Sequence, residues 1–224
     1  MKLKLYQKNL TFVYLAFAAL FLVATSLTSC KKKTEVTGTF YLAFVNAGET
    51  SSPIDFYVDN NKVNTAALSY NQNISYFSLS STDHTALIKT SASGVVLTSF
   101  NLSPQAGTYY SIFYVDGTTI AYNDDPTPPQ SGKARVRFIN LNLGMTGNLD
   151  IGITGGSVLA TSLPNALNSS YYEVAPGSSF SFYATGTTAS LLTLSTTIQA
   201  GHIYTIYLSG AAQASVVGTA LLQK

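Results

Sequence analysis

The sequence predicts an all-β protein with two tandem β-sandwich domains that follow a cleaved lipoprotein signal peptide. Two observations predict the sandwiches. Four short blocks recur in the same order at spacings of 94 or 95 residues, and runs of aromatic and β-branched residues alternate with turn residues. No window of about a dozen residues after position 30 shows helical periodicity. A third observation, a basic start followed by an apolar run, predicts the signal peptide.

The internal repeat divides the chain into two copies of about 90 residues each, an ordinary size for a small domain. The matched blocks are "FVN" with "FIN" (44–46 and 138–140), "IDFYV" with "LDIGI" (54–58 and 149–153), "SYFSL" with "SYYEV" (75–79 and 170–174), and "QAGTYYSIFYV" with "QAGHIYTIYLS" (105–115 and 199–209). Between the copies, residues 123–133 contain three prolines and predict a short, stiff linker. We therefore expect one sandwich over residues 38–122 and the other over residues 134–224.

Each copy consists of segments typical of strands. In "ARVRFIN" the alternation is clean, with Arg135 and Arg137 on one face and Val136 and Phe138 on the other. The runs "TFYLAFV" and "TYYSIFYV" of the first copy alternate only in part. About seven short strands per copy, with turn signals every 8–12 residues or so, are typical of an immunoglobulin-like sandwich. Since the chain has a single cysteine, the aliphatic and aromatic core must stabilise each copy without a disulfide.

The N-terminal region predicts export and lipidation. Residues 1–9 carry three lysines and no acidic group, and residues 10–24 carry no charge at all. A basic start followed by an apolar run is typical of a signal peptide. The run is short for a permanent membrane anchor, because a spanning helix needs about 20 apolar residues. The only cysteine, Cys30, ends the run "LTSC", which resembles the bacterial lipobox. The resemblance implies that residues 1–29 are removed, that the thiol of Cys30 carries diacylglycerol and that its new amine is acylated.

Residues 30–37 are then expected to form a lipidated tether. Lys31, Lys32 and Lys33 follow the cysteine directly, and at the headgroup level each would gain about 1 kcal/mol from anionic lipid. The alternative is that the three lysines only keep the tether solvated, and the two interpretations are compatible. The expected location is the cell envelope, lipid-anchored in the outer membrane on its periplasmic or surface side.

The charge pattern argues against nucleic-acid binding. The whole chain has 12 basic and 10 acidic side chains, and three of the lysines lie in the signal peptide. No basic stripe is present that would neutralise phosphates. Lys133, Arg135 and Arg137 are clustered, but they lie at the start of a predicted strand. We therefore interpret these residues as part of a strand, and a functional basic patch is the less favoured interpretation.

The order of the strand and turn motifs resembles the bacterial domain-of-unknown-function family 4397. The motifs that carry the resemblance are "LAFVNAG", "IDFYVDNN" and "PQAGTYYSIFYVDG" in the first copy and "RVRFINLN", "LDIGITGG", "YYEVAPGSSFSF" and "IQAGHIYTIYLSG" in the second. The resemblance implies an exported, often lipid-anchored β-sandwich of Bacteroidetes-like bacteria, with no established activity. The family's usual histidine after the first strand is replaced by Asn46 and Asn140, so a role for that histidine does not transfer to this chain.

The sequence offers few groups for catalysis, and we expect no enzyme and no cofactor. Nucleophilic catalysis needs a serine or cysteine held by a base, and the two histidines, His84 and His202, lie at non-equivalent points of the copies. We expect both in loops or at the surface. Asp124 and Asp125 are adjacent carboxylates, but they fall in the predicted linker, where we expect nothing to hold them rigidly.

Asp55 and Asp150 are the weak candidates for a metal. They recur at equivalent places in the two copies and are expected to point outward, away from the apolar faces of their strands. A repeated outward carboxylate can bind calcium together with turn carbonyls. More often it is a solubilising charge on an edge strand or a partner for a turn.

Aromatic residues are the remaining candidates for ligand contact. The chain has 15 tyrosines, 12 phenylalanines and no tryptophan. Tyr109, Tyr110 and Tyr114 lie in one predicted strand and point to both of its faces, so some belong to the core and others to the surface. A planar strip of exposed tyrosines would favour glycan binding, because tyrosine combines a stacking face with a hydroxyl group.

Three functions are therefore open. The favoured one is a non-catalytic envelope lipoprotein that acts by surface contact, through protein–protein binding or adhesion. The alternative is a glycan-binding accessory lipoprotein at the cell surface, and the third choice is a cryptic hydrolase. The expected partners are the lipid bilayer, through acylated Cys30, and an unknown envelope protein or glycan.

Overall fold

The computed structural model describes residues 38–223, which form sixteen strands and one short 3-10 turn. The strands are β1 (Thr39–Asn46), β2 (Ile54–Val58), β3 (Asn61–Lys62), β4 (Asn73–Ser80), β5 (His84–Thr90), β6 (Val96–Leu102), β7 (Tyr109–Val115), β8 (Thr118–Asp124), β9 (Ala134–Asn140), β10 (Leu149–Ile153), β11 (Val158–Leu163), β12 (Tyr172–Val174), β13 (Phe180–Ala184), β14 (Ser190–Leu194), β15 (Ile203–Ser209) and β16 (Val217–Leu222), and the turn is Gln213–Ser215. The predicted all-β class is confirmed. Over the described range, no helix is long and apolar enough to cross a membrane. The predicted signal peptide, Cys30 and Lys31–Lys33 lie outside the described residues.

The strands form four sheets, two in each copy. In the first sandwich, sheet A has the order β4-β1-β7-β8 and sheet B the order β3-β2-β5-β6. In the second, sheet C has the order β12-β9-β15-β16 and sheet D the order β11-β10-β13-β14. Strands β1 and β7 pair in parallel, as do β9 and β15, while the other pairs are antiparallel. The two sandwiches therefore have the same topology, with eight strands each rather than the seven expected.

Each sandwich has its own apolar core between its two sheets. In the first, Phe44 and Phe56 are fully buried and their rings stack at a centroid distance of 4.2 Å. In the second, Phe138 packs edge-on against Phe180 and Phe182, at 5.2 and 5.9 Å. These residues come from facing strands of the two sheets, so the alternation along each strand brings the apolar side chains together.

A third apolar cluster joins the two sandwiches, and we call this contact the junction. It consists of buried side chains from the outward faces of sheets A and C: Val45, Ala47, Phe113, Val115, Tyr122, Ile139, Leu141, Tyr207 and Leu221. The rings of Phe113 and Tyr207 lie edge to face at 5.1 Å. Sheets A and C are therefore covered on both faces, and residues 38–223 belong to one compact unit.

Two-residue turns connect several of the antiparallel strands. Asp116 and Gly117 join β7 to β8, with φ angles of 41° and 96°. Asp59 and Asn60 join β2 to β3, with φ angles of 48° and 63°. Left-handed backbone at both central positions matches the twist of the flanking strands, and aspartate, asparagine and glycine tolerate it best. The "DG" and "DN" dipeptides thus set the register of these hairpins.

The boundary between the copies differs from the prediction at one end. Strand β8 continues through Asn123 and Asp124, which the sequence places in the linker. Strand β9 begins at Ala134, where the second domain was expected to start. The strand extends because Tyr109 pairs with Asp124 at the end of the β7–β8 ladder.

Candidate functional site

The junction contains a buried ion pair between the two sandwiches. The side chain of Arg137 on β9 is 0% exposed and that of Asp124 on β8 is 3% exposed. Arg137 donates from Nη2 to Asp124, from Nη1 to the carbonyl of Asn123 at 2.9 Å, and from Nε to Thr205 Oγ1 at 2.8 Å. All three groups of the guanidinium therefore have partners within 3 Å or so, as a buried charge requires.

Asp124 accepts further hydrogen bonds from the first sandwich. Ser111 Oγ donates to its Oδ2 at 2.6 Å, and the hydroxyl of Tyr76 donates to the same oxygen. Burial raises the pKa of Tyr76, and the carboxylate of Asp124 raises it further, so the hydroxyl keeps its proton. The expectation that nothing holds Asp124 rigidly is wrong, because the carboxylate lies in a strand and has three donors around it.

Two further side chains of the second sandwich close the network. The hydroxyl of Tyr171 donates to Gln223 Oε1 at 2.9 Å, and Gln223 Nε2 donates to the hydroxyl of Tyr76 at 3.0 Å. Two guanidinium groups lie over the ring of Tyr171, that of Arg135 at 4.7 Å and that of Arg137 at 5.2 Å from its centroid. The cluster therefore stabilises the contact between the sandwiches and presents little open surface to a ligand.

The predicted basic cluster is divided by the fold. Arg137 is buried, whereas Arg135 donates from Nη2 to Asp125 Oδ2 at 2.7 Å and lies 3.8 Å from Glu173. The bond from Arg135 holds the pKa of Asp125 well below its usual range. Of the three residues only Lys133 is exposed. As predicted, Arg135 and Arg137 share one face of β9, but that face packs against the first sandwich and forms no basic patch.

Polar contacts also close the opposite end of the junction. Glu49 Oε2 accepts hydrogen bonds from the backbone N–H of Ala211 at 2.5 Å and from Ser215 Oγ at 3.1 Å. The hydroxyl of Tyr207 donates to Asn71 Oδ1 at 3.1 Å. The contact thus resembles a protein interface, with an apolar centre between polar margins.

His84 lies in a pocket of acceptors at the start of β5. It is 8% exposed, with Nδ1 at 2.6 Å from Asp59 Oδ2 and Nε2 at 2.8 Å from the carbonyl of Ser80. Burial lowers the pKa of His84, but the bonds to Asp59 and Ser80 together outweigh it, so the pKa is raised. The expected loop position is wrong, since the residue begins a strand and is buried.

Ser80, His84 and Asp59 have the residue types of a hydrolytic triad but not its hydrogen bonds. The hydroxyl of Ser80 lies 3.4 Å from Nε2, whereas the carbonyl of Ser80 lies at 2.8 Å and accepts a hydrogen bond from that nitrogen. A catalytic base must instead accept the proton of the nucleophile. A histidine with both nitrogens donating is charged, and it holds β4, β5 and the β2–β3 turn together.

The other histidine and the two asparagines have local roles. His202 is half-buried just before β15, and its ring lies 6.3 Å from that of Tyr204. Asn46 and Asn140 are both fully buried at the ends of equivalent strands. Asn46 Nδ2 donates to the carbonyl of Leu68 at 2.9 Å, and Asn140 Nδ2 donates to Asn165 Oδ1 at 2.8 Å. The asparagines therefore hold equivalent loops in the two sandwiches.

Asp55 is surrounded by donors rather than by the oxygen ligands that calcium needs. It is 5% exposed, and its Oδ1 lies 2.8 Å from Lys62 Nζ and accepts from Asn64 Nδ2 at 2.8 Å. Burial raises the pKa of Asp55, but the bonds from Lys62 and Asn64 lower it more, so the net shift is downward. The carboxylate lies on the outer face of sheet B, as expected, but the two side chains cover it.

Asp150 occupies the equivalent place on sheet D. Its Oδ1 accepts from the N–H of Ser162 at 2.7 Å and from Thr185 Oγ1 at 2.9 Å, and its Oδ2 accepts a longer bond from the N–H of Gly186 at 3.4 Å. The bond from Ser162 is the main reason why the pKa of Asp150 is lowered. In residues 38–223, no three His, Cys, Asp or Glu side chains come together as a metal site would require.

A groove, which no sequence motif predicted, runs along the outer face of sheet D. Its volume is about 350 Å³, and the residues that line it include Asp150, Gly152, Val158, Tyr183, Thr187 and Thr188. Two further spaces border the first sandwich. One of about 150 Å³ lies beside Phe40 and Leu102, and one of about 10 Å³ lies beside Tyr76 and Asp124. Sheet D thus carries the largest of these openings.

The tyrosines do not form an exposed strip. All thirteen within the described range are buried or half-buried. As predicted, β7 sends its tyrosines to both faces. Tyr110 and Tyr114 pack with the first core, while the ring of Tyr109 stacks on Tyr41 at 4.4 Å on the other face. The feature that would have favoured glycan binding is therefore absent from this part of the chain in the form expected.

Comparison with known proteins identifies the family. Among solved structures, the carbohydrate-binding module CBMbc (family CBM26) of Amy13K from Eubacterium rectale, in complex with maltoheptaose, is similar over 83% of this chain and 97% of its own. The sequence identity is 12% and the TM-score 0.27. No curated protein matches the sequence. Residues 40–152 match the family described as Domain of unknown function (DUF4397), a match that covers the first sandwich and continues into β10. Because the match spans half of the chain, the protein belongs to the DUF4397 family.

Proposed function

We propose that the protein is a non-catalytic, lipid-anchored protein of the cell envelope that acts by surface contact. The observation that carries the proposal is the closure of its polar clusters. The buried pair of Arg137 and Asp124 and the buried His84 have their hydrogen-bonding groups committed to neighbouring strands. Sheets B and D then provide the outer surfaces for a partner. We further propose that the second sandwich is a second copy of the same family domain, since it repeats the strand order of the first.

The sequence before the first strand supports the anchor. Cys30 ends the lipobox-like run, and eight residues separate it from Thr39. Fully extended, eight residues span at most about 29 Å, so the tether would keep the sandwiches near the membrane. Two or more acyl chains bind a bilayer far more firmly than one chain does, because each buried methylene contributes about 0.8 kcal/mol.

Replacing the cysteine tests the anchor directly. Cys30→Ala should move the full chain from the membrane fraction to the soluble fraction and should abolish labelling by a palmitate analogue. Lys31→Ala, which keeps the thiol, is the matched control and should stay membrane-bound and labelled. A Cys30→Ala variant that still sediments with membranes and carries label would show that the lipobox interpretation is wrong.

A serine-reactive probe tests the catalytic alternative. If Ser80 were a nucleophile activated by His84, a fluorophosphonate would label the protein, and Ser80→Ala would remove the label. We expect no labelling of the wild-type chain, because Nε2 of His84 donates to a carbonyl at 2.8 Å and cannot take the proton of the hydroxyl. Labelling that depends on both Ser80 and His84 would overturn the non-catalytic proposal.

A further inference from the structure

The geometry points to a binding site for a neutral glycan chain in the groove along the outer face of sheet D. The inference rests on the proposed function, because it names the surface of the second sandwich through which contact occurs. It is carried by the shape of the groove, by the aromatic and hydroxyl groups that line it, and by a difference between the two sandwiches at this position.

The groove is elongated. One end is formed by Thr187 and Thr188 in the β13–β14 turn, and the other by Gly155 and Gly156 in the β10–β11 turn. Strand β10, which lies between these turns, has five residues and is therefore about 16 Å long. The groove volume of about 350 Å³ is within the range of roughly 300–1,000 Å³ that is usual for ligand sites. An extended chain fits this shape better than a compact molecule does.

A tyrosine and a carboxylate lie side by side in the groove. Asp150 and Tyr183 are direct partners in the β10–β13 ladder, so their side chains share the outer face. Tyr183 is half-buried, and Val158, which lies near the glycine end of the groove, is 66% exposed. The groove therefore has an aromatic ring and an exposed aliphatic side chain among its lining residues, and each can contact the C–H face of a sugar ring.

On the equivalent face of the first sandwich, larger side chains occupy the positions that line the groove. Gly152 of β10 corresponds to Tyr57 of β2, and Tyr183 of β13 corresponds to Lys89 of β5. The ammonium of Lys89 lies over the Tyr57 ring, 4.4 Å from its centroid, and Lys62 covers Asp55 at 2.8 Å. In the second sandwich, glycine at position 152 leaves the space beside Tyr183 open.

The charge of the groove selects a neutral partner. Asp150 is the only charged side chain among the residues that line it. Its Oδ2 accepts only the long bond from Gly186 at 3.4 Å, and a carboxylate oxygen has two acceptor sites. This oxygen can therefore accept a sugar hydroxyl, whereas it would repel the carboxylate of an anionic sugar. At the threonine end, the hydroxyl of Thr187 donates to the carbonyl of Ala184 at 2.8 Å and can still accept from a sugar hydroxyl, whereas the hydroxyl of Thr188 can donate or accept.

The test measures binding of defined oligosaccharides to the full chain in a detergent without sugar headgroups. The probes are the neutral hexasaccharides maltohexaose, cellohexaose, laminarihexaose and mannohexaose, with oligogalacturonate as the anionic comparison, and the readout is isothermal titration calorimetry. We expect at least one neutral probe to bind and oligogalacturonate not to bind. Tyr183→Ala should weaken that binding by at least about fivefold, as expected for loss of an aromatic contact. Tyr183→Phe, which keeps the ring, should retain it.

Tyr57→Ala is the matched control, since it removes a ring from the equivalent face of the first sandwich and should leave the affinity unchanged. Circular dichroism melts establish that each variant is folded. The proposal is wrong if no neutral probe binds at millimolar concentration, if oligogalacturonate binds more tightly, or if Tyr57→Ala and Tyr183→Ala weaken binding equally. Binding of an extended peptide in place of every glycan, lost in Tyr183→Ala, would also overturn it. None of these results affects the anchor test or the fluorophosphonate test. Those two tests decide the proposed function, and the calorimetry decides only the glycan site.

Discussion

Removing the buried arginine of the junction should destabilise the whole protein. In Arg137→Met, the carboxylate of Asp124 stays 3% exposed while its cationic partner is lost. Breaking a buried ion pair by removing one partner costs about 3–5 kcal/mol, because an uncompensated charge remains in the interior. We expect a loss in the upper part of this range, since Thr205 Oγ1 and the carbonyl of Asn123 also lose donors at 2.8 and 2.9 Å.

The double variant separates the charge from the packing. Arg137→Met combined with Asp124→Leu removes both charges and keeps apolar volume in the junction. Replacing a buried pair by hydrophobic residues is often neutral or stabilising, but here Tyr76 and Ser111 lose their acceptor. Each unsatisfied hydroxyl costs about 1–3 kcal/mol. Asp124→Leu alone should also cost about 3–5 kcal/mol, because it leaves the arginine unpaired. We expect the double variant to be about as stable as Arg137→Met alone, so the coupling between the two changes should be about 3 kcal/mol or more.

The measurement is urea unfolding followed by circular dichroism, because the chain has no tryptophan for fluorescence. Arg135→Met is the matched control, two residues along the same strand. Its partner Asp125 has a side chain that is 48% exposed, so this change should cost about 1 kcal/mol or less. If Arg137→Met costs no more than Arg135→Met, or if the effects of Arg137→Met and Asp124→Leu simply add, the ion pair does not stabilise the junction.

Three further predictions test other parts of the fold. The pKa of His84 is raised above its ordinary value of 6.5, so its contribution is complete below about pH 6.5 and is lost as the pH rises through the folded-state pKa. The stability difference between wild type and His84→Gln should therefore shrink from pH 6 to about pH 9 in urea titrations, and a constant difference would contradict the charged state. The Tyr122 hydroxyl is buried and has no hydrogen-bond partner within the described residues, and burial raises its pKa to about 12. Tyr122→Phe should raise the free energy of unfolding by about 1 kcal/mol, whereas Tyr207→Phe, which loses the bond to an asparagine, should lower it by a similar amount. Residues 36–123 and 132–224 expressed separately should each show β-structure, as the repeat predicts, but should melt below the full chain because the junction becomes exposed. Equal melting temperatures would show that the junction adds nothing.

The repeat and the strand pattern were sufficient to predict two sandwiches. They did not predict the junction, although the sequence contains a signal for it. Strands β1 and β7 alternate only in part, because Val45 and Phe113 are apolar on the face opposite the core. A strand that is apolar on both faces is usually covered on both faces. The imperfect alternation of "TFYLAFV" and "TYYSIFYV" therefore indicated a second buried surface.

The site residues were harder to predict, since their partners lie far away in the sequence. Asp124 stands next to a proline-rich stretch, and only the pairing of β7 with β8 reveals that it belongs to a strand. His84 follows "STD", which suggests a loop, yet Asp59 from a distant hairpin reaches its ring at 2.6 Å. Local composition describes the neighbours of a residue along the chain, whereas burial and charge pairing depend on neighbours across the sheets.

The differences between the two copies indicate where function lies. Asn46 and Asn140 are buried at equivalent strand ends and hold equivalent loops, so both copies keep what the scaffold needs. On the outer sheets the copies diverge, with a lysine over a tyrosine in the first and an open groove beside Tyr183 in the second. A change on a covered face would disturb the packing of two sandwiches, whereas a change on an outer face alters only what the surface can contact. The outer sheets are therefore the places where one copy can acquire a ligand while the other keeps its structure.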